Sequence, residues 1–287
     1  MKDLVRRVRA DLATLYGHPE GYEVVLGNGG ATAFWDLAVF SLIEQRSAHG
    51  VFGEFSSKFA RAAHAPHLNA PAVFETPAGG VRLPEPTDGV DLYAWAHNET
   101  STGALAPVQR IGDEDSLVVI DGTSAAGGVP IDLTATDVYY FAPQKCFASD
   151  GGLWFAFLSP RALERMERIA ATDRWIPEFL SLKVAHDNSV KEQTLNTPAI
   201  TTLFLMAEQL TWLLDNGGLE FAIRRSRASS VQLYRWALGH PLARPFVAEP
   251  DWRSPVVATI DLEPAVDAKR LTAELRANGI VDVEPYR

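Results

Sequence analysis

Four segments of the sequence are apolar along almost their whole length, and polar residues follow or close each of them. They are LYAWAH at 92–97, SLVVID at 116–121, VYYFAP at 138–143 and LWFAFLS at 153–159. A strand with one exposed face alternates apolar and polar residues, whereas a strand covered on both faces is continuously apolar. The pattern therefore predicts an α/β fold with a mostly parallel sheet flanked by helices.

Before and after these segments the apolar spacing is helical, and the pattern changes near residue 240. We expect helices over residues 3–16, 31–45, 160–171, 197–216 and 219–239. Beyond them a strand at VVATIDL, a helix at AVDAKRLTAELRANG and the segment IVDVEPYR form a short α+β pattern. The sequence thus predicts a large domain over residues 1–240 and a small C-terminal domain over residues 241–287.

Composition excludes several kinds of partner. The chain has 36 acidic and 26 basic residues, a formal charge of −10, so it lacks the overall basic character of proteins that bind nucleic acid or anionic membranes. It has no apolar run long enough to span a membrane. Cys146 is the single cysteine, which excludes an internal disulfide and fits a cytoplasmic location. The seven histidines show no metal-ligand spacing, so no metal is predicted.

Polar residues gather at the predicted carboxyl ends of the strands, where ligands of open α/β sheets bind. They are GNGGAT at 27–32, NETSTG at 98–103, Asp121 and the pair Gln144–Lys145. GNGGAT departs from the dinucleotide fingerprint at Thr32, and a helix start of this kind suits a phosphate. Taken singly, the glycines could form only a tight turn, Asp121 could cap a helix, and Lys145 could be a surface lysine.

The combination is more specific than its parts. A carboxylate and a lysine 24 residues apart at two strand ends form the pattern that a pyridoxal 5′-phosphate (PLP) enzyme needs. Lys145 would bind the cofactor aldehyde covalently, which explains a lysine next to a buried strand. Asp121 would pair with the protonated pyridine nitrogen, and the glycine-rich turn would hold the phosphate.

Five segments, in this order, resemble the phosphoserine aminotransferases of actinobacteria, which are class V, fold type I PLP enzymes. They are GNGGATAFWD, AHNETSTG, VVIDGTS, YYFAPQK and LNTPAITTLF. The resemblance extends over essentially the whole chain. It implies transamination of 3-phosphohydroxypyruvate with L-glutamate to O-phospho-L-serine and 2-oxoglutarate, in serine biosynthesis and, in some members, in pyridoxine biosynthesis.

The resemblance also implies a role for particular residues. Lys145 would be both the Schiff-base lysine and the base that moves the substrate proton. The implied cofactor contacts are Ala31, Thr32 and Gln144 at the phosphate, Asp121 at the ring nitrogen, Thr100 at the ring hydroxyl, Phe55 stacked on the ring, and Asn196 and Thr197 at the phosphate of a neighbouring subunit. The last pair implies a homodimer with shared sites.

Substrate recognition is where this sequence departs from the family pattern. Family members begin before the position of Met1 and continue past Arg287, and their substrate arginines lie mostly in those segments. The resemblance therefore implies an incomplete small domain and leaves Arg287 as the one candidate substrate-binding residue.

Three other functions remain open at this point. A different class V activity, such as serine or alanine–glyoxylate transamination, would share the same cofactor residues. A PLP-fold chain without turnover is the second alternative, and a nicotinamide dehydrogenase, which would leave Lys145 and Asp121 unexplained, is the third. Cys146 follows the lysine directly, but we interpret it as a packed side chain rather than a nucleophile.

Overall fold

A computed structural model of the protein describes residues 1–284, so the predicted site residue Arg287 lies outside the described residues. The helices are α1 (Lys2–Tyr16), α2 (Ala31–Ser41), α3 (Glu54–Ala62), α4 (Pro160–Ala170), α5 (Leu182–Val190), α6 (Ile200–Asp215), α7 (Gly218–Gly239) and α8 (Ala268–Ala277). The strands are β1 (Glu23–Asn28), β2 (Ser47–Val51), β3 (Ala72–Glu75), β4 (Leu92–Ala96), β5 (Asn98–Glu99), β6 (Ala104–Leu105), β7 (Leu117–Asp121), β8 (Val138–Phe141), β9 (Leu153–Leu158), β10 (Ala243–Pro245) and β11 (Ile260–Leu262).

Seven strands form the central sheet, in the order β1-β9-β8-β7-β4-β2-β3. The neighbours from β3 to β8 are parallel, whereas β9 is antiparallel to both β8 and β1. Because β9 is antiparallel to both of its neighbours, β1 runs in the same direction as β8 and the other parallel strands. Six strands therefore end at one edge of the sheet, and β9 begins there. The predicted α/β fold with a mostly parallel sheet is confirmed.

Helices cover the sheet on both faces, which accounts for the continuously apolar strands. On one face α1, α6 and α7 pack with a cluster that includes Leu12, Tyr139 and Met206. On the other, α2 to α5 pack with a cluster that includes Phe34 and Tyr140. All residues of β4, β7, β8 and β9 are buried between these layers.

Strand β2 was not predicted from the sequence. β2 reads SAHGV, which is neither continuously apolar nor alternating, yet all five residues are buried. His49 Nε2 lies 2.9 Å from the Ser47 hydroxyl, and burial lowers the pKa of His49 to about 3, so the imidazole is neutral. Polar residues can occupy this strand because they satisfy one another within it.

The helix predicted over residues 31–45 is shorter, because α2 ends at Ser41. The Asp91 carboxylate accepts hydrogen bonds from the backbone N–H groups of Glu44, Gln45 and Arg46, at 2.9, 2.7 and 2.9 Å. A side chain distant in the sequence thus takes the donors that would have extended the helix, a competition that helical periodicity does not reveal.

The amino-terminal edge of the sheet is closed by ion pairs. Asp91 precedes β4 and lies 3.1 Å from the guanidinium of Arg165, which is itself buried. Asp137 precedes β8 and is fully buried; it pairs with Arg110 and accepts hydrogen bonds from the Val118 N–H at 2.8 Å and the Ser159 hydroxyl at 3.0 Å. Both carboxylates are therefore neutralised within the chain.

Beyond α7 the chain leaves the central sheet. β10 and β11 form a two-stranded antiparallel sheet, and α8 follows. The strand expected over VVATIDL is limited to Ile260–Leu262, and among residues 280–284 no strand is formed. Within residues 1–284 no helix combines the length and the apolar character that crossing a membrane requires.

Candidate functional site

The buried carboxylate of Asp121 is the centre of the candidate site. Asp121 ends β7 and is 7% exposed. Its Oδ1 accepts the backbone N–H of Thr123 at 2.8 Å, and the Trp35 Nε1–H lies 3.4 Å from Oδ2. Burial raises the pKa of Asp121, and hydrogen bonds, that of Thr123 first, oppose this shift. Among residues 1–284 no basic side chain forms an ion pair with Asp121, in contrast to Asp137, so it can accept a cationic ligand atom.

Lys145 lies at the same edge, in the turn that follows the neighbouring strand β8. The residue is half-buried and Gln144 beside it is exposed. Backbone hydrogen bonds fix this turn, from Ala148 N–H to the Lys145 carbonyl at 2.9 Å and from Ser149 N–H to the Pro143 carbonyl at 3.2 Å. The Ser149 hydroxyl also donates to the Thr202 carbonyl in the first turn of α6, at 2.9 Å. The lysine is thus presented by a fixed loop.

The start of α2 provides an anion site next to the end of β1. Gly29 has a φ of +114°, which favours glycine, and its N–H donates to the Gly152 carbonyl at 3.0 Å. The helix begins at Ala31 with no side-chain cap, which leaves its first N–H groups available. A methyl group added at Gly30 would meet no atom within 4 Å, so the turn is open on this side, and Thr32 is exposed beside it.

Thr100 and Phe55 come from two adjoining segments. Thr100 lies in the turn of the β5–β6 hairpin, and Phe55 lies in the first turn of α3. Both residues are half-buried. Phe55 packs against the apolar cluster under α2 to α5, and the Lys58 ammonium lies 5.3 Å from the centroid of its ring. The stacking role of Phe55 stays a prediction.

Asn196 and Thr197 lie on the segment that leads into α6, and both are exposed. The Asn196 carbonyl accepts the Asn28 side-chain amide at 3.2 Å and the Thr194 hydroxyl at 2.5 Å. Since Asn28 ends β1, the segment is tied to the same edge of the sheet. The structure therefore brings all the predicted site residues among 1–284 to the carboxyl edge of the central sheet. Asn196 and Thr197 lie at the outer surface of this edge.

Several residues of the site were not found from the sequence. Trp35 belongs to the apolar stripe of α2, and nothing in its spacing distinguishes it from a core residue. Glu99 could have been noticed, because it is a carboxylate inside the NETSTG motif, yet it is fully buried. The amide oxygens of Asn28 and Asn98 are also buried here, without a hydrogen-bond partner among the described residues.

Two other features near this edge are not part of it. A cavity of about 980 Å³ lies beside α7, lined among others by His97, Tyr234 and Trp252, and none of the predicted cofactor residues lines it. The Cys146 Sγ lies 3.5 Å from the Ser124 carbonyl, and burial raises the pKa of this thiol to about 11. It is protonated near neutral pH, in agreement with a packed side chain.

The chemistry of this set fits PLP. An uncapped helix start suits the phosphate, an unpaired buried carboxylate suits the protonated ring nitrogen, and a lysine on a fixed loop suits the aldehyde. Within residues 1–284, Asp121 forms no ion pair with a basic side chain, and a Cβ at Gly30 would meet no atom within 4 Å.

Comparison with known proteins identifies aminotransferases as relatives of this chain. Residues 85–281 match the family model "Aminotransferase class-V". The chain is 58% identical, over its whole length and 78% of the relative's, to a phosphoserine aminotransferase of Nocardioides sp.. A phosphoserine aminotransferase structure from Cytophaga hutchinsonii has a TM-score of 0.89 at 22% identity, over 96% of this chain and 78% of that one. A PLP-bound phosphoserine aminotransferase from Trichomonas vaginalis has a TM-score of 0.82 at 16% identity, over 98% and 79%.

Proposed function

The chain belongs to the phosphoserine aminotransferases of the class V aminotransferase family, and on this premise we propose that it transfers the amino group of L-glutamate to 3-phosphohydroxypyruvate with PLP as cofactor. The products are O-phospho-L-serine and 2-oxoglutarate, in serine biosynthesis. The observation that carries the proposal is the pairing of β7 with β8. It puts the Asp121 carboxylate, which forms no ion pair among residues 1–284, one strand away from Lys145.

Asp121 and Lys145 have complementary tasks in this reaction. The bound cofactor supplies an electron sink for the negative charge that develops on the substrate Cα. Asp121 holds the proton on the ring nitrogen, because a buried carboxylate stabilises a cation beside it. Lys145 would hold the cofactor through its amino group, and the same amine would act as the general base that takes the proton from the substrate Cα.

The remaining predicted residues orient the cofactor. Ala31 and Thr32 offer N–H groups and a hydroxyl to the phosphate, and Gln144 adds an amide from the turn that carries Lys145. Thr100 would bind the ring hydroxyl and Phe55 would stack on the ring. Because these contacts would come from four different segments, together they would orient the cofactor.

The proposal includes a cytoplasmic homodimer. Asn196 and Thr197 are exposed, and the α6 residues that follow carry exposed apolar side chains, with Ile200 52% and Phe204 54% exposed. Burial of these side chains against a second copy would bring the Asn196–Thr197 pair to the partner's phosphate. We also propose residues 241–287 as a small domain, separate from the large domain over residues 1–240.

The absorption spectrum of the purified protein tests the cofactor and its lysine together. We expect a visible band that borohydride removes in the wild type and that Lys145→Ala lacks. Addition of L-glutamate to the wild type should convert this band, and turnover with O-phospho-L-serine should exceed turnover with serine or alanine. A colourless protein that stays colourless after addition of PLP would refute the enzyme function. Faster turnover with serine or alanine would instead favour the other class V activities.

A further inference from the structure

Glu99 is a fully buried carboxylate between two segments that carry predicted contacts to the cofactor ring. We propose that Glu99 is a positioning residue that holds Phe55 and Thr100 in one fixed arrangement around that ring. The inference rests on the function proposed above and goes beyond it, because no role has been assigned so far to this side chain.

The carboxylate binds the first turn of α3, the helix that carries Phe55. Oε1 accepts the Phe55 N–H at 3.3 Å, and Oε2 accepts the Ser56 N–H at 2.9 Å and its hydroxyl at 2.8 Å. A carboxylate at a helix start also interacts favourably with the helix dipole. Glu99 therefore fixes the backbone of the residue that is predicted to stack on the ring.

The same residue closes the hairpin turn that carries Thr100. The backbone carbonyl of Glu99 accepts the N–H groups of Thr102 and Gly103, at 3.3 and 2.9 Å. Its Oε1 also accepts the Ser101 hydroxyl at 2.7 Å, and the Ser101 oxygen in turn accepts the Glu54 N–H at 2.9 Å. Two sets of hydrogen bonds thus fix the start of α3 relative to Thr100. In one the Glu99 carboxylate binds the helix directly, and in the other it binds the Ser101 hydroxyl, which in turn binds the helix.

Gly53 makes this close approach possible. A Cβ at position 53 would lie 2.5 Å from the Glu99 carboxyl carbon and 2.6 Å from the Ser101 hydroxyl oxygen. The φ of Gly53 is 174°, which any residue adopts, so the glycine is required for space rather than for conformation. The lack of a side chain at position 53 therefore leaves room for the Glu99 side chain at the start of α3.

Asp137 provides a matched control for the effect of removing a buried carboxylate. Like Glu99 it is fully buried and accepts a backbone N–H and a serine hydroxyl, but it lies at the opposite edge of the sheet. A role in stability alone would make Glu99 and Asp137 variants alike. If Glu99 has a positioning role, its variants should also change the binding and the circular dichroism of the cofactor, whereas Asp137 variants should not.

The experiment compares Glu99→Ala, Glu99→Gln, Ser101→Ala and Asp137→Asn with the wild type. The measurements are the dissociation constant for PLP, the visible circular dichroism of the bound cofactor, kcat, KM and thermal unfolding without cofactor. For Glu99→Ala we expect a changed dichroism signal, weaker PLP binding and a kcat lower by roughly 10²-fold at little changed KM. Glu99→Gln should recover part of this loss, because one acceptor oxygen remains.

The milder variant covers the case in which Glu99→Ala does not fold. Ser101→Ala removes one hydroxyl from the network and should shift dichroism and kcat in the same direction by a smaller factor. If the Glu99 and Ser101 variants change only thermal unfolding, as we expect of Asp137→Asn, the proposal is wrong although the proposed function stands. A wild type that binds no PLP would overturn both.

Discussion

The two edges of the central sheet hold buried carboxylates in opposite states. At the amino edge the buried Asp137 pairs with Arg110, and the half-buried Asp91 pairs with the buried Arg165, so the charges are neutralised within the chain. At the carboxyl edge Asp121 is also buried, at 7% exposure, but lacks a basic partner among residues 1–284, and its pKa is raised by burial. The same type of side chain stabilises the fold at one edge and stays available at the other.

The difference indicates which edge of the sheet is suited to bind a ligand. A buried polar group without a partner lowers stability unless a ligand completes it. The amide oxygens of Asn28 and Asn98, which lack a hydrogen-bond partner among the described residues, and the uncapped start of α2 lie at the carboxyl edge as well. Variants of the carboxyl edge should therefore affect ligand binding and turnover, and variants of the amino edge should affect folding.

The largest effect in this comparison is expected for Lys145→Ala. Loss of the covalent anchor and general base should lower transamination by about 10³–10⁴-fold. The free energy of unfolding without cofactor should change by less than about 0.5 kcal/mol, since the residue is half-buried in a turn. Assays of turnover and urea unfolding measure the two quantities. Lys183→Ala on α5 serves as a control that should keep full activity, and a similar loss there would break the comparison.

Asp121→Asn should have the next largest effect, lowering turnover by about 10²–10³-fold because the ring nitrogen loses its charged partner. Its effect on stability depends on pH. Burial raises the pKa of Asp121, so between the ordinary value of about 3.9 and the raised one the folded protein keeps a proton that the unfolded chain has released. The stability of the cofactor-free wild type should therefore fall relative to Asp121→Asn as the pH rises through this window.

Urea unfolding of both cofactor-free proteins at a series of pH values above 4 measures this difference. Curves that run parallel would mean that Asp121 is ionised as easily as in the unfolded chain. In that case burial of Asp121 would not destabilise the cofactor-free protein, and cofactor binding would have no such destabilisation to remove.

At the amino edge, Asp137→Asn should destabilise the protein by about 2 kcal/mol, because an ion pair and one acceptor of buried hydrogen bonds are lost. The dissociation constant for PLP should stay within twofold of the wild type. Equilibrium unfolding and a fluorescence titration with PLP measure the two. A variant that folds normally but binds PLP weakly would show that the two edges are coupled.

The smallest effect is expected for Gly30→Ala. The backbone at Gly30 is extended and a Cβ there meets no atom within 4 Å, so folding should be unaffected, while the methyl group takes space from the phosphate. We expect PLP to bind roughly tenfold more weakly, which corresponds to about 1.4 kcal/mol. Gly239→Ala at the end of α7 also adds a methyl group in open space and should leave PLP binding unchanged. Equal affinities for both variants would exclude the turn as the phosphate site.

The sequence predicted the carboxyl edge far better than the amino edge, for a physical reason. Strands buried on both faces are apolar throughout, so the polar residues after them, such as Asp121 and Lys145, stand out. The amino edge depends on pairs such as Arg165 with Asp91, which are 74 residues apart and follow no local pattern. Strand β2 was missed because it contains polar residues, which satisfy one another within the strand. The burial of Glu99 was missed because sequence spacing does not distinguish a buried hydrogen-bond acceptor from a surface glutamate.

The reversed direction of β9 has a consequence for how the site is assembled. β9 begins at the carboxyl edge, where the six other strands of the sheet end, and Gly152 directly before it accepts the Gly29 N–H at 3.0 Å. Lys145 and Gly152 are only seven positions apart in the chain. The loop that carries the lysine therefore also holds the turn at the start of α2, so a displacement of this short segment would move both predicted anchors of the ligand together.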